Sequence, residues 1–293
     1  MDAPGHVRCL GLGVVLAMMV MTGRAAAQND LTGEWASRVH EDAPYRMGGE
    51  IGVRVGDYAG LPITAAARLK ADSWDASIQD VKEHQTIPAS SLFAMRGGAI
   101  SLRISKVVDD ISQEMVAFKI VRSPASGGTR LIWMDGRPHP PEYAAHTWQG
   151  FSTGTWEGRM LTVETTHVKM ASLQGNGVAH SDNATMIEHF IRHGDYLTVV
   201  VIVTDPQYLE EPLIRSTNFA LDLSQQLAPV VLGIAELSDH PPGYIPHHLP
   251  GTNAFLKEYA EKFKIPFEAT RGGKETTYPE YQLILKAQKK TAQ

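Results

Sequence analysis

The sequence predicts a mainly β fold, a β-rich α+β architecture whose centre is an antiparallel barrel, and three observations predict it. Between residues 100 and 221 short β-branched segments alternate with turn signals such as Asp109-Asp110, Ser126-Gly127-Gly128 and Gly194-Asp195, which is a strand-and-hairpin pattern. Side chains in the clearest segment alternate with period two: Leu161, Val163, Thr165 and His167 fall on one face, and Thr162, Glu164, Thr166 and Val168 on the other. Helix-forming stretches are confined to the flanks. Closing such a sheet removes its unpaired edges.

The elements follow in order. Residues 1–27 combine Arg8, an apolar run from Cys9 to Thr22 and Ala25-Ala26-Ala27, the pattern of a secretory signal peptide cleaved after Ala27. The run is shorter than the roughly 20 residues a bilayer crossing requires, so no membrane insertion is expected after cleavage. Residues 28–99 read as a wrapping segment, irregular from 40 to 90 apart from a helix over 64–73 that Thr64 can cap. The barrel then takes strands over 100–107, 115–121, 129–134 and 155–168. It continues over 184–193, 196–204 and 213–221, and Asp205-Pro206 stops the penultimate strand. Residues 222–293 hold a Pro-rich loop around Pro241-Pro242-Gly243 and Pro246 to Pro250, followed by helices over 253–263 and 279–289.

Composition excludes several classes. With 27 Lys+Arg against 32 Asp+Glu the formal net charge is -5, so no cationic field gathers nucleic acid or anionic lipid. The single cysteine, Cys9, lies in the segment expected to be removed, which excludes thiolate nucleophiles, thiolate zinc sites and disulfides from the mature chain. No G-x-S-x-G elbow, phosphate loop, dinucleotide fingerprint or H-E-x-x-H occurs. His189 and His193 would share a metal on a helix, but on a strand four residues span roughly 13 Å. No metal is therefore assigned, and any cofactor stays unknown.

The densest chemistry lies between Trp133 and Gly158. Pro138, Pro140 and Pro141 stiffen this loop, and a stiff loop holds side chains at a defined spot. One reading is a structural corner, with Asp135 capping the turn and pairing with Arg137. The other is a site for a small molecule. There Trp148, Phe151, Trp156 and Tyr196 supply a stacking surface, and Arg137, His139, His146 and His167 supply polar anchors. A catalytic version of that site uses His146 or His167 as the base, Asp135 or Glu164 to orient the imidazole, and Arg137 to stabilise a developing anion. Glu188 sits on the strand beside Glu164, and both carboxylates, with Arg192, also suit the wet face of an antiparallel sheet.

The runs DGRPHPPEYAAHTWQGFSTGTWEG at 135–158, TTHVK at 165–169, SDNATMIEHFIRHGDYLTVVVIVTDPQYLEEPLIRS at 181–216 and PHHLPGTN at 246–253 resemble a family of exported bacterial proteins of unassigned function. The resemblance covers most of the mature chain. Members carry a Cys and a His shortly after the region matching Glu83-His84-Gln85. This chain has Thr86-Ile87-Pro88-Ala89 there, so any site using those groups is missing. Gly33-Glu34-Trp35 and Gly154-Thr155-Trp156, with the hairpin meander, are similar to the strand starts of lipocalin-like barrels, which implies a small apolar ligand in a barrel mouth. The expectation is an exported, periplasmic or secreted protein that binds a small, partly apolar molecule. A cofactor-independent lyase, isomerase or hydrolase acting in the same pocket is the alternative, and a structural envelope protein the second. In either of the first two, Trp133, His146, Trp156 and His167 should ring one hollow.

Overall fold

A computed structural model of the chain describes residues 30–38, 54–81, 83–84, 87–96, 101–123, 128–224, 241 and 243–291. The expected signal segment, Gly97-Gly98 and the sequence between Ser224 and Pro241 lie outside the described residues.

Among the described residues eleven strands follow in chain order: β1 (Gly33–Ser37), β2 (Ser101–Val108), β3 (Met115–Ser123), β4 (Arg130–Trp133), β5 (Phe151–Glu157), β6 (Met160–Thr166), β7 (Ala171–Ser172), β8 (Ala179–His180), β9 (Thr185–His193), β10 (Tyr196–Thr204) and β11 (Leu213–Leu221). All but β7 and β8 form one closed barrel in the order β1-β11-β10-β9-β6-β5-β4-β3-β2. Every pair is antiparallel except β4 and β5, which run parallel over just Ile132↔Ser152 and Trp133↔Thr153. A parallel neighbour requires a crossover. Residues 134–150 make it as an irregular strap that returns the chain along the outside of the barrel. The N-terminal segment does more than wrap: β1 pairs with β2 on one side and β11 on the other, and so closes the barrel.

One end carries the hairpin turns at 109–114, 158–159 and 194–195. The other is covered. Helix α1 (Ala65–Asp72) begins where expected, with Thr64 Oγ1 accepting from Ala67 N, and packs beside β8. Helix α2 (Ser91–Arg96) packs on β10 and β11, and Ile63 bridges to Leu209 in the β10–β11 connection. At the C-terminus Asn253 caps a 3-10 turn (Ala254–Lys257) that leads into α3 (Glu258–Phe263), and α4 (Pro279–Thr291) ends the described chain.

The barrel interior is filled. Phe118, Phe190 and Phe219 meet Leu161, Val199 and Val201, all almost wholly buried in one cluster. Trp35 is fully buried, its Nε1 donating to Leu31 O at 2.9 Å while the Arg192 guanidinium lies 5.2 Å over its ring. Gly33-Glu34-Trp35 therefore builds the closing strand and pins it. Gly154-Thr155-Trp156 does not open a strand: it forms the second half of β5, where Trp156 packs against the core.

Two turns meet under the covered end. Asn176 Nδ2 donates to Asp57 O at 2.7 Å, and burial pushes the Asp57 carboxyl up to about 6. Between the ordinary value of 3.8 and about 6 the folded chain holds the proton that the unfolded chain has lost, so stability falls as pH rises through that window. Asp57→Asn removes the ionisable group and is expected to raise stability by roughly 1–3 kcal/mol above pH 6. At pH 4 the gain should vanish. Urea unfolding at the two pH values checks this.

Candidate functional site

The 134–150 strap decides where chemistry collects. It crosses from the end of β4 to the start of β5 and lays its prolines over the outer faces of β5 and β6. Thr147 N donates to His167 O and Lys169 N to Thr147 O, both at 2.9 Å, so the strap joins the chain just beyond β6. Gly150 then turns into β5 at φ +68, and a Cβ there would stand 2.6 Å from Thr166 O. Only glycine fits that turn and that approach together.

Under the strap lies a chain of hydrogen bonds whose direction the carbonyl at its end fixes. Pro141 O can only accept, so His167 Nε2 donates to it at 2.9 Å, and in the neutral ring His167 Nδ1 then accepts from Thr166 Oγ1 at 2.7 Å. Thr166 Oγ1 in turn accepts from His139 Nδ1 at 2.7 Å, and His139 Nε2 accepts from Thr153 Oγ1 at 2.8 Å. In that arrangement every donor of the series meets an acceptor. Burial lowers the His139 pKa, the Glu164 charge opposes that, and His167 adds to it. These two rings are struts for the strap rather than free bases.

His146 differs. Its Nδ1 donates to Val168 O at 2.9 Å, which leaves the lone pair on Nε2. Its ring centre lies 5.3 Å from that of His167. His167 itself sits at φ +56, outside the usual range for a residue with a Cβ, and this bend at the end of β6 turns its ring toward the strap.

Beside the histidines is a pocket of about 370 Å³ on the outer side of the β4–β5 seam. Leu131 and Trp133 face it because Arg130 and Ile132 alternate into the barrel. Trp148, Phe151 and Pro88 complete its apolar wall, and Thr147 and Gln149 supply neutral polar groups. The strap is tied to the segment before α2: Gln149 Nε2 donates to Ala89 O at 2.9 Å and Ser91 N to Trp148 O at 3.2 Å. No residue in the lining carries a formal charge. The charges stand behind the rings, with the Arg137 guanidinium 3.5 Å from the centre of the Trp133 ring and Lys169 Nζ 5.1 Å from that of Trp148.

Comparison with family models, curated proteins and solved structures finds no match for this chain. Its site is therefore read from its own geometry.

The expected residues divide. Trp148 and Phe151 line the pocket, and His139 meets the Phe151 ring edge-on at 5.3 Å. His146 and His167 are neighbours, as expected. Trp133 lies on the outer face of the barrel and Trp156 packs against the interior core, so the four rings do not share a hollow. Tyr196 is exposed at the hairpin end with Arg38 over its ring, away from the pocket. Asp135 forms an exposed ion pair with Arg137, which lowers the Asp135 pKa and leaves that carboxylate on the guanidinium rather than on an imidazole. Glu164 is exposed on the outer face of β6 and acts on His139 only through its charge.

Two polar clusters escaped the sequence reading. Inside the barrel Glu188 is fully buried and paired with Arg130, whose Nε donates to Ser152 Oγ at 3.1 Å and Nη2 to Thr165 Oγ1 at 2.7 Å. Glu188 shares its strand face with Met186 and Phe190, and that parity was the available signal. At the covered end Ser90 Oγ donates to His180 Nε2 at 2.8 Å, because His180 Nδ1 gives its proton to Ser181 O. Asp205 receives Ser181 N and Oγ. Ser90 also caps α2 by accepting from Phe93 N, and both Ser90 and His180 are wholly buried. This network fastens the helix that covers the barrel.

Proposed function

We propose that this chain is an exported, periplasmic protein that binds a small, partly apolar, flat molecule in the pocket between β4 and the strap. The observation that carries the reading is a wall of two tryptophans and a phenylalanine with no formal charge, held by a proline-stiffened strap whose hydrogen bonds are all assigned. Rings ordered in advance lose little freedom when a ligand stacks on them. A cation on one side of an aromatic ring draws electron density away from the other, so Arg137 and Lys169 disfavour a second cation and favour a neutral or anionic guest. Gln149 and Thr147 orient it by neutral hydrogen bonds.

The acid-base alternative has one observation in its favour, the ring of His146, whose Nδ1 is spent on Val168 O, next to the pocket residues Thr147 and Trp148. The two readings separate by substitution. Native mass spectrometry of protein from the periplasm identifies any co-purified molecule, and 8-anilinonaphthalene-1-sulfonate serves as a generic probe. Trp148→Ala is expected to weaken probe affinity at least about tenfold, from loss of roughly 1.4 kcal/mol or more of stacking and burial. His146→Ala should leave affinity within about twofold. Unchanged affinity in Trp148→Ala rejects the binding reading, and turnover of the co-purified molecule that His146→Ala abolishes moves the assignment to the enzyme.

A further inference from the structure

Apart from the pocket, the inward face of β3 carries a group that the fold does not explain. Arg122 follows Phe118 and Ile120 in alternation, and pairs in register with Leu102 of β2, itself fully buried. Its Nε and Nη1 are shielded from solvent and have no hydrogen-bond partner among the described residues, while the residue as a whole keeps a partly exposed edge. The neighbouring interior cation is fully used: Arg130 gives its protons to Glu188, Ser152 and Thr165. Glu188 is in turn consumed by Arg130, and Arg192, the guanidinium on the inner face of β9, donates to Gly194 O and Asp30 O.

A guanidinium stripped of water on two sides and given no acceptor is among the most costly arrangements a fold can keep. Burial lowers its pKa to about 10, and no neighbouring charge contributes, so it remains a cation at neutral pH. A planar guanidinium with apolar walls at Leu102 and Ile120 and one edge open presents a fork of N–H groups that matches the two oxygens of a carboxylate or phosphate.

We propose that Arg122 is an anion anchor, a second ligand site at the covered end of the barrel that takes a carboxylate or phosphate oxyanion at the open edge of its guanidinium. The site is independent of the aromatic pocket, whose lining holds no charge. The ligand's anion supplies the acceptor that Arg122 lacks among the described residues.

Thermal unfolding of the full chain tests this, with inorganic phosphate and octanoate as separate probes at an ionic strength matched by sodium chloride. A saturable rise of about 2–4 °C at tenfold saturation is expected with at least one probe. Phosphate alone marks a phosphate site and octanoate alone a carboxylate site with a hydrocarbon tail. Arg122→Met should lose the response and be at least as stable as the parent chain without either probe. Should Arg122→Met not fold, Arg122→Gln and the Nε–H resonance of Arg122 in the parent chain give the same answer, since that resonance must move on addition of the responding anion. The proposal is overturned if neither probe raises the transition, if an Arg122 variant responds like the parent, or if the resonance stays in place. None of these outcomes bears on binding at Trp148.

Discussion

Glu188→Gln is expected to lower the free energy of unfolding by about 3–5 kcal/mol, a large part of the 5–15 kcal/mol that holds a typical domain. The substitution keeps shape and removes charge. It leaves the Arg130 guanidinium in the barrel interior with neutral acceptors alone, the new amide oxygen and the hydroxyls of Ser152 and Thr165. A buried cation without its anion has neither water nor Coulomb attraction to offset its desolvation. Arg130→Met should cost a similar amount by stranding Glu188. The double variant Arg130→Met, Glu188→Leu should recover most of the loss, because Ser152 and Thr165 still bond to each other at 2.9 Å and the new side chains fill the space. Urea unfolding of the parent, Arg130→Met, Glu188→Leu and the double variant measures the coupling. Single variants that add without coupling would mean that the two charges do not meet inside the barrel.

Trp35→Ala should cost about 3–5 kcal/mol by a different route, the transfer and cavity terms of a large buried aromatic. Trp35 opposes Leu102 on one side and Leu221 on the other, within the strand that joins the two edges of the sheet. Its loss also frees Arg192, which otherwise stacks on the ring and donates to Gly194 O at 2.8 Å. Trp35→Phe keeps most of the packing but not the bond to Leu31 O, and should cost about half as much or less. Both follow from the midpoint of denaturant unfolding at constant slope.

Much of the fold was legible because alternation and turn residues are local. The hairpin at Gly194-Asp195, the Thr64 cap and the strand over 185–193 all follow from neighbours in sequence. What was not legible is set by partners far away. Glu188 and Glu164 look alike in sequence, but register places Glu188 opposite Val163 on the inner face and Glu164 opposite Ile187 on the outer. The parallel β4–β5 contact could not be foreseen, since nothing in residues 134–150 says which side of the barrel the strap will take. That single crossover moved Trp133 and Trp148 to an outer pocket and left Trp156 in the core. The histidine cluster was half visible: His146 and His167 were expected together, whereas the bonds that make His139 and His167 struts depend on Thr153, Thr166 and a carbonyl at Pro141.

The aromatic pocket proposed to hold a small molecule lies outside the barrel wall, whereas Trp35 and Trp156 belong to the core. The five tryptophans, Trp35, Trp74, Trp133, Trp148 and Trp156, report on it directly through their indole N–H resonances. Titration with 8-anilinonaphthalene-1-sulfonate should shift Trp133 and Trp148 and leave Trp35 and Trp156 in place. Shifts at Trp35 or Trp156, or no shift at any indole, would contradict the account.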